Sequence, residues 1–149
     1  EAPMEIRRAT REDIEAANAI FEAGGLAPLH TGIPAASVFV ALEEGRLVGA
    51  TALEVRGRGG LGPWLAVAEE CRGRGVGRSL LRTLLTRSQE LGLRELFVVV
   101  PRFSTLFEQA GFRPMNESDL PRDVRSLRSY PDPENGPSAL LRIQLETQV

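Results

Sequence analysis

The chain has 149 residues, of which 42% are hydrophobic and 26% are charged, and its formal net charge is −2. This is the length and composition of one ordinary globular domain, with a core large enough to need no disulfide or metal for stability. The slightly acidic balance argues against a nucleic-acid binder, whose affinity usually rests on a basic surface. We therefore expect residues 1–149 to form a single domain.

Residue counts exclude several chemistries. All 18 basic residues are arginine, so no lysine is available as a nucleophile or for a Schiff base. The single cysteine, Cys71, and the single histidine, His30, cannot assemble a structural zinc site, and we expect no metal. The sequence contains no signal peptide and no long apolar run, which favours a cytoplasmic location without membrane association.

The N-terminal part of the chain has the pattern of a strand, a helix, a loop and a hairpin. A short strand covers 4–8, and the helix that follows has Thr10 as its N-cap, with Asp13 placed to answer the cap. Gly24-Gly25 ends this helix, and the loop 26–36 carries His30. Two β-rich runs, 37–41 and 46–56, flank Glu43-Glu44-Gly45, which is a hairpin signal.

The C-terminal part alternates strands with helices. A strand over 61–67, weakened early by Pro63, leads through a glycine–arginine loop into a helix over 76–91, whose apolar stripe includes Leu91. The remaining predictions are a buried strand at 96–100, a helix at 105–110 capped by Ser104, a strand from Phe112, a helical turn within 119–127 and a closing strand at 139–145. This order predicts an α/β protein with one mixed sheet of about six or seven strands flanked by helices.

The loop from Arg72 to Gly77 carries the strongest functional signal. It precedes a helix start, where backbone N–H groups lack intrahelical partners and the helix dipole favours anions. Its glycines permit close approach of a ligand, and its arginines suit phosphate oxygens. A tight connection with solvated arginines is equally compatible with the loop alone. The dinucleotide-binding fingerprint fails because its third glycine would fall at Arg78, and a Walker A loop needs a lysine.

The motif Arg72-x-x-Gly75-x-Gly77, between a strand ending Leu-Ala-Val and a leucine-rich helix, resembles the acetyl-CoA pyrophosphate motif of the GNAT N-acetyltransferase superfamily. Three more stretches resemble signatures of that family: Ile6–Asp13 its start, Leu47-Val48-Gly49-Ala50 its third strand, and Phe107-Glu108-x-x-Gly111-Phe112 its late helix-to-strand junction. The resemblance covers nearly the whole chain. It implies a GNAT fold in which parallel strands four and five splay apart and form a cleft for acetyl-CoA.

The resemblance also implies which residues hold the cofactor. Main-chain groups of Leu65, Ala66 and Val67 would pair with the pantetheine arm, and the Val67 N–H would polarise the thioester carbonyl. N–H groups of the loop and helix start would cradle the pyrophosphate, which implicates Arg72, Gly73, Arg74, Gly75, Val76, Gly77 and Arg78, and Ser79 would add a hydroxyl. For the side chains of Arg74, Arg78 and Ser79, the simpler alternatives are solvated arginines and a local helix-start contact.

The catalytic groups are less well defined by the resemblance. Many family members have a tyrosine general acid four residues before the glycine of Gly-Phe, and that position is Phe107 here. The only tyrosine, Tyr130, is the alternative acid, although a packing role is more common for such a residue. Glu54 is a candidate base acting through water or else a surface charge, and His30 lies in a loop that borders the acceptor in this family. Cys71 is expected to be structural.

The C-terminal half resembles amino-acid N-acetyltransferases of the N-acetylglutamate synthase type and their relatives named for arsenic-resistance operons, in which a Phe-Phe pair is common. This implies an α-amino acid or analogue as acceptor, with Arg122, Arg125 and Arg128 as candidates for gripping its carboxylate or as a solvated helix face. We expect transfer of acetyl from acetyl-CoA to a small-molecule amine. A silent acyl-CoA sensor or interaction module, and a protein N-acetyltransferase, are the alternatives, and assembly as a homodimer stays open.

Overall fold

The computed structural model describes residues 4–30, 33–34, 37–100, 104–127, 130 and 139–145. Within these ranges the helices and strands follow the predicted order. They are β1 (Met4–Arg8), α1 (Asp13–Ala23), β2 (Val38–Glu43), β3 (Arg46–Arg56), β4 (Gly59–Val67), α2 (Val76–Glu90), β5 (Glu95–Val100), α3 (Thr105–Ala110), β6 (Arg113–Pro114), α4 (Arg122–Arg125) and β7 (Ala139–Gln144). Short 3₁₀ turns cover Glu69–Cys71 and Glu117–Asp119. Among the described helices, none combines the length and apolar character needed to cross a membrane.

The strands pair in the order β1-β2-β3-β4-β5-β7-β6. Strand β2 is antiparallel to both β1 and β3, and β7 is antiparallel to both β5 and β6. Strands β4 and β5 are parallel, with Gly59–Leu61 in register with Glu95–Phe97. The predicted α/β class and mixed sheet are therefore confirmed, and the described ranges contain seven strands of the six or seven expected.

The chain divides into two compact units. The first comprises Glu1–Leu53 and Trp64–Leu84, and the second comprises Glu54–Pro63 and Leu85–Val149. A single domain over 1–149 stays a prediction.

The first unit buries two apolar clusters, which receive alternate side chains of β4. Trp64 and Ala66 join the cluster that contains Phe21 of α1. Leu65 and Val67 pack against the other cluster, which contains Val48 of β3 and the start of α2. The end of β4 is thus covered by side-chain packing on both faces.

The second unit has its own core, built on Leu61, Phe97 and Val99, with Val124 and Leu127 packed against them. Phe107 and Phe112 are both buried, and their rings meet edge to face with centroids 5.4 Å apart. Phe107 is therefore a packing residue of this unit and has no proton to donate.

The local predictions at chain turns were mostly confirmed. Glu44 and Gly45 have φ of 52° and 77°, which gives the tight turn expected between β2 and β3. Helix α1 begins at Asp13 with Glu12 as its N-cap, so the predicted cap at Thr10 is wrong. The Asp13 carboxylate accepts from the Thr10 backbone N–H at 2.7 Å and from its hydroxyl at 3.0 Å, as expected of a residue placed to answer Thr10. Leu91 is 44% exposed and lies outside the buried stripe, since α2 ends at Glu90.

Candidate cofactor-binding site

The loop between β4 and α2 presents backbone to solvent at the start of a helix. Residues 72–75 are exposed. Gly73 and Gly75 have φ of 81° and 85°, and a Cβ at either position would meet no atom within 4 Å. The glycines are therefore required by the backbone conformation, and open space lies beside them. Helix α2 has no acidic residue in its first turn, so nothing there opposes an anion.

Gly49 of β3 sets how closely the start of α2 approaches the sheet. A Cβ on Gly49 would lie 3.0 Å from Val76 Cγ1 and 3.0 Å from Leu80 Cδ1, closer than ordinary contact. The glycine thus lets the first turn of α2 pack directly on the β3 backbone. Since Val76 immediately follows the glycine loop, Gly49 also fixes the position of that loop.

The end of β4 has one edge on β3 and a second edge facing away from it. The N–H of Ala68 donates to the Val48 carbonyl of β3 at 2.8 Å. The Ala66 carbonyl lies on the same side, 3.3 Å from a Cβ built on Gly49. Because backbone groups alternate along a strand, the N–H groups of Leu65 and Val67 point to the edge opposite β3. The backbone polar groups of Ala66 therefore face β3. Of the three predicted pantetheine contacts, Leu65 and Val67 have backbone groups on the other edge.

Two of the loop arginines contact neighbouring protein groups. Arg72 Nε donates to the Val67 carbonyl at 3.2 Å, which folds the loop back on the end of β4. Arg74 Nη2 lies 3.0 Å from Glu43 Oε1 at the end of β2. Arg78 is exposed on the first turn of α2, and the Ser79 N–H makes a local 3.1 Å bond to the Gly75 carbonyl. Glu43 was not predicted, because nothing near it in the sequence marks it as a partner of the loop.

The loop that carries His30 is fixed to β4 by Trp64. The buried indole donates from Nε1 to the Ala27 carbonyl at 2.8 Å, and its ring centroid lies 6.3 Å from that of His30. On the other side of the loop, the Leu29 N–H donates to Asn18 Oδ1 of α1 at 2.9 Å. A cavity of about 1050 Å³ lies between this loop and α1 and is lined in part by His30 and Asn18. The role of Trp64 was not predicted from the sequence, because its partner Ala27 lies 37 positions away.

The second unit contains the predicted residues Arg125 and Tyr130, joined by Glu117. Arg125 Nη2 bonds to Glu117 Oε1. Burial raises the pKa of the Tyr130 phenol, and the charge and hydrogen bond of Glu117 raise this pKa further, whereas Arg125 lowers it. Sequence reasoning missed Glu117, which has no distinguishing pattern. Glu54 is half-buried near the end of β3, Arg122 is exposed, and Arg128 lies outside the described residues.

Cys71 has the structural surroundings expected of it. Cys71 is buried in the first unit among apolar residues that include Val48 and Val76. In the part of the chain that the structure describes, histidine, cysteine and acidic side chains form no group of three or more able to hold a metal ion.

Comparisons with known proteins support this arrangement. A family model described as "Acetyltransferase (GNAT) domain" matches residues 34–114, more than half of the chain. The chain is 34% identical over 89 residues to an amino-acid acetyltransferase of Ralstonia nicotianae, which is 58% of this chain and 20% of that protein. The chain thus spans about one fifth of that relative's length.

Two solved structures have the same fold. N-acetylglutamate synthase from Neisseria gonorrhoeae, complexed with coenzyme A and N-acetyl-glutamate, superposes with a TM-score of 0.77 and 24% identity, over 98% of this chain and 36% of that one. Rv2747 from Mycobacterium tuberculosis, in complex with CoA, has a TM-score of 0.77 and 21% identity, over 95% and 99% of the two chains. The family match covers β2 to β6 and includes the glycine loop and the Phe107–Phe112 junction. The chain belongs to the GNAT acetyltransferase domain family.

Proposed function

We propose that this chain binds acetyl-CoA and transfers the acetyl group to the primary amine of a small molecule, an amino acid or a close analogue. The observation that carries the proposal is the exposed loop with positive φ at Gly73 and Gly75, which opens directly into α2. Such a loop directs backbone N–H groups at an anion with the help of the helix dipole. Membership of the GNAT family and similarity to an amino-acid acetyltransferase support the choice of cofactor and acceptor.

The cofactor would lie along the end of β4 and over the start of α2. The backbone of Leu65 and Val67 offers strand-like pairing to the pantetheine arm, because those groups point away from β3. The pyrophosphate would accept hydrogen bonds from N–H groups of Gly73 through Arg78, because the N–H groups of Arg72 and Ser79 already donate to the Glu69 and Gly75 carbonyls. Ser79 would add its hydroxyl. Arg78, exposed in the first turn of α2, adds a cation beside the phosphates.

The reaction is attack by the neutral amine nitrogen on the thioester carbonyl carbon. A new C–N bond forms, the C–S bond breaks, the ammonium proton leaves to a base, and the thiolate of CoA takes up a proton. The Val67 N–H would stabilise the negative charge that develops on the carbonyl oxygen. The protein would further accelerate the reaction by holding the amine and the thioester next to each other in a reactive orientation.

Proton transfer is the less constrained part of the proposal. Tyr130 would protonate the thiolate, since a phenol is protonated near neutral pH, although its raised pKa makes it a weaker acid than an ordinary tyrosine. Its hydroxyl already has an acceptor in Glu117, which the thiolate would have to replace. On the acceptor side we assign His30, Glu54 and Arg125, with Arg125 gripping a carboxylate in competition with Glu117. We include in the proposal a single domain over 1–149, a cytoplasmic location and action without metal or nucleic acid.

Cofactor binding is tested by calorimetric titration with CoA. We predict that the wild-type chain binds and that Gly75→Glu does not, because the new carboxylate repels the phosphates. Gly92→Glu is the matched control: Gly92 also has positive φ, 76°, with no atom within 4 Å of a Cβ, so it carries the same strain and charge. Equal loss of binding in both variants, or full binding by Gly75→Glu, would contradict the cradle.

Acetyl transfer is tested by thiol release from acetyl-CoA with a panel of amino acids. Release that depends on one amino acid supports the enzyme and identifies its acceptor. Phe107 at the usual tyrosine position, and the hydrogen bond between Tyr130 and Glu117, favour a second candidate, a silent acyl-CoA sensor. CoA binding without thiol release for any amine would support that candidate.

A further inference from the structure

Two ion pairs connect the β2–β3 hairpin to the glycine loop and to the turn just before the loop. Arg74 Nη2 lies 3.0 Å from Glu43 Oε1, and Arg46 Nη2 lies 2.6 Å from Glu70 Oε1. Arg74 stands between Gly73 and Gly75, whereas Glu70 belongs to the 3₁₀ turn just before the loop. The first pair therefore runs from the hairpin to the segment that we assign to the pyrophosphate, and the second runs to the turn that precedes this segment.

The two ion pairs differ in solvent exposure, and of the two only the Arg74–Glu43 pair is buried enough to hold the loop in position. The side chains of Arg46 and Glu70 are 65% and 62% exposed, so water and salt screen their attraction. The Glu43 side chain is only 17% exposed. Its Oε1 atom is inaccessible to solvent and, within the described residues, has no hydrogen bond of good geometry. The guanidinium of Arg74 thus stabilises the negative charge of this buried carboxylate.

Glu43 is itself held in place by the sheet. It is the last residue of β2, where it is in register with Met4 of β1 and with Arg46 of β3. A cavity of about 590 Å³ lies beside the pair and is lined in part by Val48, Cys71 and Val76. The loop therefore contacts a carboxylate that the sheet holds in place at the edge of this cavity. The Arg74–Glu43 pair lies across part of the cavity.

We propose that Glu43 is a positioning residue for cofactor binding, which acts through Arg74. The pair draws the middle of the glycine loop towards the hairpin and so holds its N–H groups in the arrangement that receives the pyrophosphate. Arg74 is then a tether of the loop, and it does not itself contact a phosphate. This inference rests on the proposed binding of acetyl-CoA.

The tether and a direct phosphate contact predict opposite effects of removing Glu43. If Arg74 tethers the loop, Glu43→Gln releases the loop and weakens CoA binding. If Arg74 binds phosphate, Glu43 competes for it, and Glu43→Gln leaves binding unchanged or makes it tighter. Glutamine keeps the size of the side chain, so the substitution removes the charge and little else.

The experiment is a calorimetric double-mutant cycle with CoA and with dephospho-CoA. We expect Glu43→Gln, Arg74→Gln and the double variant each to raise the Kd about tenfold, by the same factor for both ligands, because each breaks the same pair. Glu44→Gln, which removes the same charge from the neighbouring exposed residue, is the control and should retain wild-type affinity. In steady state the KM for acetyl-CoA should rise in Glu43→Gln, with kcat and the acceptor KM unchanged.

Three results would overturn the inference. They are wild-type or tighter binding by Glu43→Gln, additive losses in the double variant, and a loss in Arg74→Gln that disappears with dephospho-CoA. Arg74 is 53% exposed, so Arg74→Gln should fold even if Glu43→Gln does not, and a loss in Arg74→Gln that disappears with dephospho-CoA would by itself overturn the tether. Failure of the wild-type chain to bind CoA would instead overturn the proposed function, and this inference with it.

Discussion

Trp64→Phe tests whether the loop that carries His30 belongs to the acceptor site. The substitution removes the 2.8 Å hydrogen bond from the indole Nε1 to the Ala27 carbonyl. It also leaves space in a cluster where Trp64 is only 3% exposed. We expect about 1 kcal/mol of lost stability from the hydrogen bond and about 1 kcal/mol from the space. A total of about 2 kcal/mol corresponds to a fall in Tm of about 4–8 °C.

The functional effect should be confined to the acceptor. Without the indole hydrogen bond the loop loses one of its anchors and keeps the Leu29–Asn18 bond, so acceptor binding must supply more of the ordering and the acceptor KM should rise about tenfold. The Kd of CoA should stay unchanged, because the glycine loop is held by Gly49 and Arg72 through interactions that do not involve the indole. Thermal unfolding, CoA calorimetry and thiol-release kinetics measure the three quantities.

Thr51→Val is the matched control for this variant. The Thr51 hydroxyl donates to the Trp64 carbonyl at 2.7 Å in a buried setting, so valine loses one hydrogen bond to the same residue and leaves the His30 loop untouched. It should lower the Tm while keeping the acceptor KM. Equal acceptor KM values in Trp64→Phe and Thr51→Val would refute the reasoning.

Two further predictions concern stability and the loop. The hydrogen bond from Arg7 lowers the pKa of Asp13 to about 2, and the Thr10 N–H makes the next largest contribution. Asp13→Asn should therefore lower the free energy of unfolding by about 1 kcal/mol at pH 7. In urea unfolding, the wild-type advantage should persist above about pH 4 and fade as the pH falls towards 2; an advantage that is flat across this range would contradict the assignment. Gly49→Ala places a Cβ 3.0 Å from Leu80 Cδ1, and it should cost about 1–3 kcal/mol and raise the Kd of CoA. Unchanged CoA affinity in a destabilised Gly49→Ala would show that α2 placement does not control the loop.

Elements with strong local signals were predictable. The helix α1 pattern and the Glu44-Gly45 turn depend on side-chain periodicity and on backbone freedom at neighbouring positions, and both are visible in a short window. The glycine loop was predictable for the same reason, since its backbone conformation requires positive φ at Gly73 and Gly75, and glycine adopts positive φ without strain. The family signatures then implied that parallel strands four and five flank the cofactor cleft.

Contacts between distant residues were not predictable. Trp64 reaches Ala27 across 37 positions, and Arg46 reaches Glu70 across 24. Any of the 18 arginines could have paired with Glu43, because charge alone does not say which side chains the strand register brings together. Glu117 was not predicted for the same reason. The sequence identified Arg125 and Tyr130 as separate candidates, and nothing in it indicated that Glu117 interacts with both.

The assignment of Ala66 also required the structure. The sequence places Leu65, Ala66 and Val67 at the end of one strand, and the resemblance treats them as a group. Only the bond from the Ala68 N–H to the Val48 carbonyl reveals which residues face β3. Alternation then leaves Leu65 and Val67 on the other edge.

The central claim is acetyl transfer from acetyl-CoA to an amino-acid amine. The most direct measurement incubates the purified chain with acetyl-CoA and an amino-acid panel, follows thiol release, and identifies the acylated product by mass spectrometry. We predict that one N-acetyl amino acid accumulates in equal amount with free CoA and that Gly75→Glu abolishes both. Thiol release that is the same with and without every amine, or no product from a chain that binds CoA, would contradict it.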